Sequence, residues 1–316
     1  MTAMILLRRI GGGVLVLWLV TVIAFLLVAL LPGDAAESIA GESATPDDVA
    51  LIRQRLGLDK PLPLQYVDWL LGVLRGDFGT SLRSGESVTT VILQAAPATF
   101  SLAALAIVIA LLISIPAGTI AAFRRDGWAD RVISTFATVG IAMPSFWILM
   151  LLIIVFAQLN PWLPATGYAP LSAGLWTWLS HLILPATALG LAVAAEMARH
   201  TRGCVIDVLS RPYVRTARAR GASGWWLVRH HVLRNAAIPV ITVLGLQIGH
   251  LVGGAIVVEA VSGIPGLGTM AIEAIFQREY PTIQGFVLLT GAIIVIANIA
   301  VDLAYTVINP KVRVEA

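Results

Sequence analysis

The chain has 316 residues, 12% of them charged and 58% hydrophobic, against about 25% and 45–50% in an ordinary soluble domain. With a mean hydropathy of +0.88 there is too little charge to cover a water-facing globule, and too much apolar content for disorder. Cys204 is the sole cysteine, which excludes a disulfide scaffold, and the net charge of +3 hides an asymmetry along the chain that says more than its sum.

Six apolar stretches are long enough to cross a bilayer: 10–31, 97–123, 132–159, 181–198, 238–258 and 286–308. The first, at about 33 Å as a helix, exceeds a hydrocarbon core of about 30 Å. Runs of this length are read as helices, which satisfy their own backbone in lipid. Arg8 and Arg9 before the first span imitate a secretory signal. Its apolar run is longer than a signal's core, however, and Pro32-Gly33-Asp34 is a poor cleavage context, so a retained helix is expected.

The segment 32–96 that follows carries helix-spaced apolar residues in two places. They are Leu51, Ile52 and Leu56, then Val67, Leu70, Leu71 and Leu74. Thr45-Pro46-Asp47-Asp48 supplies a Thr cap, proline at the first helical position and acids in the first turn. Gly57 and Pro61 separate the two helices, and Gly76-Asp77-Phe78-Gly79 reads as a turn. These short helices are expected to lie on the outer face, as a structural cap on the bundle or against headgroups.

Lysine and arginine set the orientation. With the N-terminus inside, fifteen of the 21 basic residues fall on the cytoplasmic side, eight of them arginines between Arg199 and Arg234. Outside there remain five in the long segment 32–96, where charge weighs little on topology, and Arg278. Both termini are therefore expected in the cytoplasm. The reading is an all-α integral membrane protein of six transmembrane helices, divided as 1–31 (tail and first span), 32–96 (extracytoplasmic helices), 97–308 (five-helix core) and 309–316 (cytoplasmic tail).

The cytoplasmic loop 199–235 carries the most information. Ser210-Arg211-Pro212 opens a short helix that continues through Arg215, Thr216, Ala217, Arg218 and Arg220, with Gly221 as its left-handed stop. Ser223 can cap a second helix in which Trp225, Val228 and Val232 share a face. Positive-inside loops are often merely basic and bind anionic headgroups. Such a loop has no need of two capped helices joined at a glycine, and the pattern favours a docking element.

At this loop the sequence resembles the permease subunits of ATP-binding-cassette importers. The family motif sets a Glu-Ala-Ala triplet four residues before a glycine. Here, in the run from Tyr213 onward, Arg215-Thr216-Ala217 fills the triplet and Gly221 the glycine, and Pro239 opens the next span. The Arg in place of Glu departs from the general pattern and agrees with the dipeptide/oligopeptide/nickel branch. That branch is also matched by Gly76-Asp77-Phe78-Gly79-Thr80-Ser81, by Gly245 to Gly249 with Gly253-Gly254, and by Gly263-Ile264-Pro265-Gly266-Leu267-Gly268. Gln277-Arg278-Glu279-Tyr280-Pro281, Val301-Asp302-Leu303 and Asn309-Pro310-Lys311 match as well, so the resemblance covers essentially the whole chain.

The resemblance implies a type I importer permease fold in the bacterial inner membrane. It implies pairing with a homologous second permease as a heterodimer, two cytoplasmic ATPase domains and an extracytoplasmic solute-binding protein. ATP and Mg would be bound by the ATPases and no cofactor by this chain. The coupling-loop residues would be Tyr213, Arg215, Thr216, Ala217, Arg218, Gly221 and Ser223, and the cargo dipeptides or oligopeptides, with nickel or a metal chelate as the alternative. Lipid is the remaining partner; nucleic acid is not expected.

The residues themselves argue against enzyme chemistry. A phosphate-binding Walker loop needs Gly-Lys, and the only lysines follow Asp59 and Pro310. His230-His231 are adjacent and not one helical turn apart, so no metalloprotease pair exists. Neither His181 nor His250 has an evident nucleophile partner, no catalytic residue is assigned, and no metal site is expected. Polar groups in spans are costly and mark function. Glu196 and Arg199 are expected to neutralise each other; Glu259 is expected near water at the outer end of the fifth span. Asp302, in the sixth, either packs or meets a peptide amine or a cation in the path, and Gln247 and His250 share a helix face that packs or lines the same path. An ion-coupled secondary transporter using Asp302 would predict an inverted repeat, which the sequence lacks. A receptor-like scaffold is the third class, and association with an ATPase would separate it from an importer.

Overall fold

The structure, a computed structural model, describes residues 2–29, 45–55, 57, 59–81, 84–222 and 233–308. Ser223, Trp225, Val228 and the second loop helix expected there lie outside the described residues, as do the side chains of Arg218 and Asp302. Among the described residues there are eleven α-helices and a single isolated β-bridge, Thr80 to Ser87.

In chain order these are α1 (Thr2–Ala29), α2 (Pro46–Arg55), α3 (Leu62–Leu74), α4 (Val88–Phe123), α5 (Trp128–Ala142) and α6 (Ser145–Ile153). Then come α7 (Leu175–Ser210), α8 (Pro212–Ala219), α9 (Leu233–Ser262), α10 (Leu267–Phe276) and α11 (Tyr280–Ile308). Five are long and apolar enough to span a membrane, and α5 with α6 makes a sixth if the pair counts as one bent span.

Three spans differ from the hydropathy reading. The third is broken: α5 and α6, the latter running on through a π-helical turn Ile154–Leu159, are bent by 104° at Met143–Pro144. Met143 is extended (φ −87°, ψ 127°), the conformation favoured before a proline because it relieves the clash with the pyrrolidine ring. The second helix starts at Val88, well before Pro97, because its first turns carry Thr89, Thr90 and Gln94, which hydropathy discards although they are helical. The fourth does not stop at Ala198. α7 runs 36 residues to Ser210, about 54 Å against a core of about 30 Å, so it projects from the bilayer as an arm.

The chain divides into two compact units. One is built mainly from Ala98–Thr269. Its core takes Ala98, Leu102, Ala106 and Ala110 from α4, spaced by four and hence on one face, with Leu182, Leu189, Val193 and Met197 of α7 and Leu251, Ala255 and Val258 of α9. In lipid the hydrophobic effect does not drive helices together, so close backbone approach and dispersion must. α4 and α7 show this: a Cβ on Gly190 would stand 2.8 Å from the Ala106 carbonyl oxygen, and one on Gly118 2.6 Å from that of Ala198.

The other unit comprises Leu7–Pro97 and Met270–Val295. Here the Thr45 cap is realised as a reciprocal capping box. The Asp48 amide donates to Thr45 Oγ1 (3.3 Å), while the Asp48 carboxylate accepts from the Thr45 amide (3.0 Å) and hydroxyl (2.6 Å). These bonds hold Asp48 below the usual carboxylate range. On α3 the expected apolar stripe is split. Leu70 is half-buried, with Tyr66 and Trp69 against Phe25 of α1, while Val67, Leu71 and Leu74 stay exposed. The expected turn is present: Gly76 and Gly79 have positive φ, and Asp77 Oδ1 accepts the Gly79 amide at 2.9 Å.

Candidate functional site

The first of the two short helices expected in the loop forms at the end of the α7 arm. Arg211 is extended before Pro212, and α8 then closes in the manner expected at Gly221. Gly221 has φ +89°, and the Ala222 amide donates back to the Ala217 carbonyl at 3.0 Å, the bond that satisfies an orphan carbonyl at a helix end. Val214 is fully buried and seats the helix, which leaves Tyr213, Arg215 and Thr216 facing outward and Ala217 half-buried. Thr216 Oγ1 donates to the Pro212 carbonyl at 3.1 Å, so its hydroxyl serves α8 itself.

The arm is pinned by a pair that sequence spacing did not reveal. Arg202 of α7 donates from Nε to Asp130 Oδ1 (2.5 Å) and from Nη2 to Oδ2 (2.6 Å), a bidentate fork. Asp130, only 4% exposed, also accepts the Asp126 amide at 2.9 Å and the Ser134 hydroxyl at 3.3 Å. Four donors thus satisfy a buried carboxylate that would otherwise be costly. Asp126 itself holds φ +64° in the tight turn between α4 and α5. The two partners lie 72 residues apart, and Arg202 looks like one more member of a basic loop until the fold brings it to Asp130.

Glu259 is not at a water boundary as expected. It is 0% exposed, inside the unit. Its Oε1 accepts the Thr99 hydroxyl at 2.6 Å, and its Oε2 accepts the amides of Gly268 (2.7 Å) and Thr269 (3.3 Å) at the start of α10. The apolar windows on either side concealed the reason for its position. The glycine-rich run 263–268 folds back so that a helix N-terminus, with its unpaired amides, meets this carboxylate.

Gln247 and His250 do come together, with Glu196, around a cavity of about 210 Å³ whose other walls include Ile141, Ser145 and Gly254. Glu196 does not pair with Arg199 among the described residues; its Oε1 lies 3.9 Å from Nε2 of His200, one turn further along α7. Asp302 falls on α11, and its side chain is outside the described residues.

The sequence profile of a family described as the inner membrane component of binding-protein-dependent transport systems matches residues 114–314, and its N-terminal companion matches 1–103. The chain belongs to that family. It is a permease subunit of an ATP-binding-cassette importer, a multi-pass bacterial inner-membrane protein that works with ATPase and solute-binding partners. The permease is 41% identical over 308 residues to a Sinorhizobium fredii protein named as a peptide transporter permease, covering 98% of both chains. It is 45% identical over 307 residues to the glutathione transport system permease of Salmonella typhimurium (97% of this chain, 98% of that one). A Brucella abortus protein named as a peptide transport system permease shares 39% over 313 residues, 99% of each.

Proposed function

We propose that this permease imports short peptides and that α8, with the residues following it, receives the motion of a partner ATPase. The supporting observation is the shape of the elbow. A long arm, α7, ends in a short helix anchored by Val214, stopped at Gly221 and presenting Tyr213, Arg215 and Thr216 outward. Ala217 and Arg218 complete the segment, and Ser223 would open the next. A rigid arm with a capped end can transmit displacement, whereas a floppy basic loop cannot. In this reading both termini and α8 face the cytoplasm, and a homologous permease completes a heterodimer. ATP and Mg sit on the ATPases, with none of that chemistry in this chain. The free energy is the differential affinity of the ATPases for two arrangements of the elbow.

Peptide as cargo is supported by the names of the relatives, which include peptide and glutathione permeases. Path-lining roles go to Gln247, His250 and Asp302. The division 1–31, 32–96, 97–308 and 309–316 is kept as a functional one, with the outer helices available to a loaded binding protein.

The test is a photo-crosslinking residue at Thr216 in the assembled importer. Capture of an ATPase subunit supports the reading; capture of lipid alone would sink it. Peptide uptake into proteoliposomes, dependent on the binding protein and ATP, tests the cargo.

A further inference from the structure

Resting on the importer reading above, we infer that the cavity between α7 and α9 is a cargo station for a primary ammonium group, the free N-terminus of a peptide, with Glu196 as its counter-charge. A carboxylate on a membrane helix is costly unless something offsets it. Glu196 is only partly offset: His200 stands 3.9 Å away and 37% of the Glu196 side chain is exposed. Arg199, three residues along the helix, does not pair with it among the described residues, and Arg202, the next arginine, is already committed to Asp130.

Gln247 makes the second, independent observation. Its side chain is 4% exposed, it lines the cavity, and nothing among the described residues hydrogen-bonds its amide. A carboxamide that lines a cavity with no partner among the described residues keeps its carbonyl available to a donor that enters there. An ammonium group carries three donors and no acceptor. The Glu196 carboxylate, the Gln247 carbonyl and the Ser145 hydroxyl offer it three acceptors, while Ile141, Leu189 and Val193 keep the surroundings apolar.

The size fits one end of a ligand. About 210 Å³ is roughly seven water volumes and below the usual pocket for a whole small molecule. The donor set suits an amine better than a metal ion. Of the polar side chains on the cavity, Glu196 and His250 are the metal-ligating types and Gln247 is a weak ligand, and no group of three or more His, Cys, Asp or Glu placed to hold a metal occurs among the described residues.

The experiment uses the complete importer in proteoliposomes with a radiolabelled tripeptide bearing a free N-terminus. Glu196→Gln is expected to lower uptake about tenfold, the loss of one charge-assisted hydrogen bond. Glu196→Asp should stay within about threefold of wild type, a rescue that a merely structural role would not predict. In parallel, Ala192→Cys on a Cys204→Ser background is treated with an aminoethyl and a sulfonatoethyl methanethiosulfonate. The preference for the cationic reagent should fall about tenfold when Glu196→Gln is added. Unchanged uptake, or an unchanged reagent preference, would overturn the inference. Should Glu196→Gln fail to assemble, Gln247→Leu carries the uptake test with the same expected loss. If the wild type imports no tripeptide at all, the peptide reading falls, and the reagent comparison still decides whether the cavity selects cations.

Discussion

The hydroxyl of Thr99 donates to Glu259 Oε1 at 2.6 Å and, with its own oxygen, accepts the Leu267 amide at 2.8 Å. One side chain on α4 therefore ties α9 to the beginning of α10. The three donors on Glu259 are neutral, and among the described residues no cation stands against it. Cutting the Glu259 side chain back to a methyl group would orphan the Thr99 hydroxyl and the amides of Gly268 and Thr269 together. Glu259→Ala is expected to destabilise the permease by about 3 kcal/mol and Thr99→Val by about 1–2 kcal/mol. The double variant should cost less than the sum, since both act on one network. Unfolding of the detergent-solubilised protein by denaturant titration measures all three; strict additivity would mean the contacts are independent.

A separate lock holds the arm. Asp130, buried, and Arg202, partly exposed, form a bidentate pair, and removing the arginine strands the buried carboxylate. Arg202→Met alone is expected to cost about 3–5 kcal/mol, whereas Asp130→Leu combined with Arg202→Met should recover much of that. Function separates the two outcomes. If the pair also orients the arm under α8, the double variant will fold yet show little stimulation of ATP hydrolysis by loaded binding protein. Full stimulation in a stable double variant would reduce the pair to packing.

At Gly221 the constraint is the backbone and not space. φ is +89°, while a Cβ there would meet nothing within 4 Å. Gly221→Val should therefore weaken copurification with the ATPase by unravelling the end of α8, because a β-branched residue resists positive φ. Gly221→Asn, which tolerates that region, should retain most of it. Equal behaviour of the two would show that the left-handed turn is not what the partner needs.

The sequence was most informative where one residue type answers one local need. Thr45 and Pro46 marked the start of α2, Pro212 and Gly221 bracketed α8, and the apolar runs located the spans. It was least informative where distant segments meet. Asp130 finds Arg202 across 72 residues and Thr99 finds Glu259 across 160, and no periodicity records either. Hydropathy also misplaced ends: it stopped at Ala198 because Arg199, His200 and Arg202 are polar, although a helix continues through them. Pro144 was present to be read, yet a single proline in a long apolar run is compatible with a mild kink. The extended Met143 before it turns the run into two helices.

The capping box at Thr45 and Asp48 makes a prediction about acid. Hydrogen bonds from the Thr45 hydroxyl and amide favour the charged carboxylate, so the pKa of Asp48 in the folded helix lies below its unfolded value. A depressed carboxylate contributes stability that is fully present above the unfolded pKa and is lost as pH falls through the folded one. The N-terminal turn of α2 should thus stay protected at neutral pH and fray as the medium is acidified below the ordinary aspartate range, about pH 4. Asp48→Asn, which cannot ionise, should remove the pH dependence and lower protection already at pH 7. Hydrogen exchange of the Val49–Arg55 amides, compared between the two proteins across that range after correction for intrinsic rates, gives the answer. Parallel profiles would mean that Thr45 and Pro46 start the helix without help from the carboxylate.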